Sequence, residues 1–120
     1  MGWDAFAMTA GGRYVLKSGP GGWAHAPAYA AAADRVRETE GSVDFLLKHG
    51  GLDVSDCGEA LRLATGLDVR CDDWTPETVQ MAHRTAQWEK AAAVPSWAVA
   101  SARAFLATAA AEGHGVRFTW

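Results

Sequence analysis

The stretch Lys17-Ser-Gly-Pro-Gly-Gly-Trp23 holds the residue types of a phosphate-binding loop: a lysine, a hydroxyl, three glycines and a proline. A P-loop places its lysine and hydroxyl after the glycines, where a helix opens, in the order Gly-x-x-x-x-Gly-Lys-Ser/Thr. Here Lys17 and Ser18 come first, so the order is reversed. The dinucleotide fingerprint Gly-x-Gly-x-x-Gly also fails, because Ala24 stands at its third glycine. What remains is a backbone nest for an anion, with Lys17, Ser18, Trp23 and His25 as the candidate contacts of a small-ligand or phosphate site. The plainer reading of the same residues is a turn between a hairpin and a helical body.

Metal and nucleophile chemistry find less to work with. None of His25, His49, His83 and His114 stands four residues from another, and no Cys-x-x-Cys occurs; both are spacings that metal sites favour. A zinc site from Cys57, Cys71 and a histidine would have to be assembled by the fold. There is no Gly-x-Ser-x-Gly elbow. Cys57 sits where a helix starts, a position that lowers a thiol pKa, but Asp53, Asp56 and Glu59 oppose a thiolate there. Adjacent Asp72 and Asp73 could form a carboxylate pair, or simply a solvated loop before Trp74. These patterns lead to no catalytic residue, no metal and no cofactor.

Charge is distributed unevenly. Asp53, Asp56, Glu59, Asp68, Asp72, Asp73 and Glu77 face only Arg62 and Arg70 within residues 53–77, so that segment carries −5 of a chain whose net charge is −3. Acids brought to one face beside Trp74 would steer a basic partner surface, although helix N-termini also prefer acids for their own sake. Six tryptophans (Trp3, Trp23, Trp74, Trp88, Trp97 and Trp120) are many for 120 residues, and tryptophan is enriched at interface hot spots. Trp97 and Trp120 fall on core-like patterns, whereas Trp23 and Trp74 lie in predicted loops and are the expected exposed pair. A homodimer would be another way to bury the surplus.

These residues must be positioned by one domain, 1–120, long enough to bury a core without staples. Apolar content of 49% and charged content of 21% exclude wholesale disorder. The negative balance excludes a non-specific nucleic-acid binder, which needs surplus Lys and Arg. Two cysteines make no disulfide framework. Asp4 stands where a secretory signal would be basic or apolar, and the alanine-rich stretch from Val94 to Ala111 is too interrupted for a bilayer span. The expected setting is cytoplasmic, with no membrane partner.

Trp3–Met8 and Arg13–Lys17, joined by Gly11-Gly12, predict an N-terminal hairpin. A helix from Pro27 ends at Gly41. Ser42 then caps a second helix, Val43–His49, closed by Gly50-Gly51. Ser55 or Asp53 caps a third that ends at Gly66, and Leu67–Cys71 alternates as a short strand. Thr75-Pro76-Glu77 opens a fourth helix running to about Ala92, and Ser96–Glu112 forms a fifth. Gly115–Trp120 is a strand with Val116, Phe118 and Trp120 on one face. The predicted class is α+β: a small antiparallel sheet from the hairpin, the middle strand and the C-terminal strand, packed against four to five helices.

The opening Met1-Gly-Trp-Asp-Ala-Phe-Ala, the alanine-rich helices and the closing Val116-Arg-Phe-Thr-Trp120 resemble small phage and prophage proteins, a group that includes anti-CRISPR inhibitors of host defence. The resemblance implies a non-enzymatic inhibitor or accessory factor in the host cytoplasm. It would dock an acidic face with an exposed tryptophan on a basic host protein or protein–nucleic-acid complex, without touching nucleic acid directly.

Overall fold

The computed structural model describes residues 2–15, 18–19, 22–23 and 26–120. The elements run β1 (Asp4–Met8), β2 (Ser18–Gly19), β3 (Gly22–Trp23), α1 (Pro27–Glu40), a 3₁₀ turn (Phe45–His49), β4 (Gly51–Leu52), α2 (Ser55–Thr65), β5 (Asp73–Trp74), α3 (Pro76–Thr85), a second 3₁₀ turn (Trp88–Ala91), α4 (Ser96–Glu112) and β6 (Gly115–Thr119). Four strands form one antiparallel sheet in the order β4-β1-β6-β5, and the fold is α+β as the sequence predicts. Ala5, Ala7, Leu52, Trp74, Val116 and Phe118 line its inner face and join a core with Phe105, Leu106 and Ala109 of α4. Small side chains let α4 sit at the centre, packed on α1, α2 and α3.

Several predicted elements are corrected. Of the return arm expected over Arg13–Lys17, residues 16 and 17 lie outside the described residues, and the described part makes a single bridge, between Met8 and Tyr14. One edge of β1 is taken along its whole length by β6, and on the other edge Gly51 and Leu52 pair with Phe6 and Ala5. Only the last residues of β1 are left for the return. The pairing β4 was not predicted at all.

The middle strand is Asp73–Trp74, not Leu67–Cys71. The alternating run folds instead into a turn around Asp68, whose carboxylate accepts the Arg70 N–H at 2.8 Å while its carbonyl accepts the Trp74 indole N–H at 3.1 Å. The 43–49 helix is a five-residue 3₁₀ turn, capped by Asp44 rather than Ser42. Val54 stands at the N-cap of α2 with no side-chain bond, so neither Ser55 nor Asp53 caps it. The fourth helix stops at Thr85 instead of Ala92: Ala86 turns to ψ 135°, and the Gln87 N–H donates to the Ala64 carbonyl at the end of α2.

Two tryptophans also exchange places. Trp74 is buried, 5% exposed, with its ring edge-on to Phe118 at 4.9 Å. Trp120, which the strand pattern assigns to the core, is 49% exposed beyond the last paired residue of β6. Among the described residues, no helix is long and apolar enough to cross a membrane.

Candidate functional site: an acidic end of the sheet

The register brings acids from separate segments to one end of the sheet. β1 begins at that end with Asp4, which pairs with Thr119 of β6. Trp120 follows directly. β4 finishes at the same end, since Leu52 pairs with Ala5 and Asp53 comes next. β5 starts there too, with Asp73 opposite Arg117 and Asp72 one residue nearer the end. The chain leaves β4 straight into the first turn of α2, which carries Asp56. Side chains alternate along a strand, so Asp4 and Asp73 point away from the buried Ala5 and Trp74.

The anchor of this end is a residue that the sequence reading missed. Asp44 is 1% exposed. Its Oδ1 accepts the Leu46 N–H at 3.0 Å, and its Oδ2 accepts the N–H groups of Asp53 and Val54 at 3.1 and 3.0 Å. The Cys57 thiol donates to the same Oδ2 at 3.4 Å, and the Asp44 N–H donates to the Ser101 hydroxyl at 3.1 Å. One residue thus ties three elements together: its carboxylate holds the 3₁₀ turn and the β4–α2 corner, and its backbone N–H holds α4. Its sequence signal was available: an aspartate two residues before Leu46, at the start of an apolar turn, is a capping position.

Asp53 lies against this anchor. A hydrogen bond with the Asp44 carboxyl group, then burial, then the charges of Asp44 and Asp4 push its pKa up to about 7. Burial, followed by the charge of Asp44, raises the Cys57 thiol well above its usual range. That thiol is therefore held protonated and is no nucleophile. Burial, followed by Asp68, also raises Cys71, with Asp72 and Asp73 contributing in the same direction. These interactions put Asp68, Asp72 and Asp73 around one half-buried thiol.

Six of the seven predicted acids therefore lie at or beside this end, and Glu77 does not. It starts α3, after β5 has run to the opposite end of the sheet. Glu59 and Asp68 share a cleft with Trp3, Arg62 and Arg70. Two of the acids are neutralised: Glu59 pairs with Arg62, and Asp73 takes the Arg117 guanidinium at 2.9 Å. Asp56 and Asp72 are exposed and have no basic partner within salt-bridge distance among the described residues. Trp74 was expected beside the acids as an exposed contact; it is buried because it is the inner-face residue of β5. Trp120 occupies the exposed position instead.

Of the alternative ligand site, Lys17 and His25 lie outside the described residues. Ser18 pairs with Trp23, and Gly19 with Gly22, in a two-stranded ribbon. Of the remaining histidines, His83 is exposed on α3, the His114 Nδ1 meets the Tyr29 hydroxyl at 2.8 Å, and His49 is buried with its ring edge-on to Phe45. Among the described residues, no group of three or more His, Cys, Asp or Glu side chains is arranged to hold a metal ion. Comparison with protein-family models, with curated proteins and with solved structures finds no match.

Proposed function

We propose that this chain is a non-enzymatic protein-binding factor, an inhibitor or accessory factor of phage or mobile-element type. Its acidic end docks on a basic host protein surface such as a nucleic-acid-binding site. The supporting observation is the strand register that brings Asp4, Asp53, Asp72 and Trp120 to one end of the sheet, with Asp56 in the first turn of α2 after β4. Complementary potential speeds encounter and rejects acidic competitors. An exposed tryptophan at the rim supplies the large apolar contact that such interfaces favour. A partner that normally holds nucleic acid would present surplus Lys and Arg of the matching sign.

The test is capture of host proteins by the intact chain and by the Asp56→Lys/Asp72→Lys variant. Both positions are exposed, so far-UV circular dichroism should be unchanged. The wild-type chain should retain a basic protein that is released by raised salt and by added duplex DNA, and the variant should not retain it. Equal retention by both would refute the reading.

A further inference from the structure

The segment from Ala86 to Ala93 reads Ala-Gln-Trp-Glu-Lys-Ala-Ala-Ala, among the strongest helix-forming stretches in the chain. It contains neither glycine nor proline, yet it is not an α-helix. A local preference overridden in this way marks a place where the fold requires something else. The consequence here is a groove of 340 Å³. Trp88 and Ala91 of the 3₁₀ turn line it together with Val94 and with Val99 of α4. Glu40, the last residue of α1, and Arg103 of α4 line the same groove. The two carry opposite charges but form no ion pair with each other or with any described residue.

The volume is at the low end of the roughly 300–1,000 Å³ spanned by small-ligand sites, which suits a body the size of one amino acid. A largely apolar lining that also carries one cation and one anion, neither ion-paired to a described residue, matches a zwitterion that carries an apolar group. We propose that this groove binds a free aromatic amino acid, its ring against Trp88, its carboxylate on Arg103 and its ammonium on Glu40. Charge-assisted hydrogen bonds to carboxylate and ammonium groups are stronger than neutral ones. An open groove and so small a ligand set the expected Kd at about 1 mM.

Chemical-shift mapping with L-phenylalanine up to about twenty times that Kd tests the proposal. Saturable shifts are expected at Trp88, Ala91, Val94 and Val99. Binding should weaken about tenfold for Arg103→Gln and for Glu40→Gln, and similarly for wild-type chain titrated with phenethylamine or 3-phenylpropionate. Neither Glu40 nor Arg103 is buried, so the rest of the spectrum reports whether each variant is folded. No saturable shift, shifts elsewhere, or equal binding of all three compounds would overturn the proposal. So would shifts at the same residues caused by raising the protein concentration alone, which would give the groove to a second copy.

Discussion

Asp44 is the residue on which the acidic end depends most. A carboxylate that is 1% exposed is tolerable only because its lone pairs are occupied, here by three backbone N–H groups and a thiol. Asp44→Ala would leave those donors without an acceptor. At ~1 kcal/mol or more each, the loss should be about 3 kcal/mol or more in a urea titration; a loss below 1 kcal/mol would mean that the corner does not depend on this carboxylate. Asp53 adds a pH dependence. Its folded pKa is raised to about 7, while an unfolded aspartate releases its proton near pH 4 (~3.9). Between those values the folded state binds the extra proton, so the stabilisation is complete below about pH 4 and is lost as pH rises through 7. Asp53→Asn removes the titrating proton. The fall in melting temperature between pH 4 and 7 should be shallower in that variant than in the wild-type chain, and identical slopes would show that Asp53 does not hold the proton.

Elements with local signals were legible, β1 and β6 among them through their alternation, whereas the short strands and helix stops set by distant partners were not. The helix from Pro27 to Gly41, the Thr75-Pro76 start and the Ser96–Glu112 helix with Gly113 at its end were all readable, because caps, proline and glycine act within a few residues. The bond from Gln87 to Ala64 that ends α3 early, and the pairing that makes Gly51–Leu52 a strand, depend on residues far away in sequence. Neither leaves a mark in the local pattern. Gly58 is another contact of this kind. A Cβ there would stand 2.9 Å from the Trp3 indole, whose N–H is held by the Val69 carbonyl at 2.9 Å. Alanine would gain about 1 kcal/mol in helix propensity, but Trp3 has little freedom to retreat, and overpacking costs roughly 1–3 kcal/mol. Gly58→Ala should therefore lower stability in a thermal melt. A rise would show that Trp3 shifts freely against α2.

At the scale of the whole molecule, the clustering of acids was legible in the sequence but its composition was not. The run from Asp53 to Glu77 named most of the members, yet only the strand register separates Glu77, which goes to the far end, from Asp72, which stays. The same register adds Asp4 from the other end of the chain. It also reverses the tryptophans: strand alternation continued past Thr119 assigned Trp120 to the core, but β6 has no partner residue left to cover it. What faces solvent at this end is therefore Asp53, Asp56, Asp68 and Asp72, with half-buried Asp4 and exposed Trp120 at the same end and with Asp73 and Glu59 already paired to arginines. The most direct test of an acidic docking end is the amount of basic host protein retained by wild-type chain against Asp56→Lys/Asp72→Lys at equal concentration and low salt. Retention by the wild-type chain, released by duplex DNA, is expected, and none by the folded variant. Retention that is the same for both would contradict docking through the acidic end.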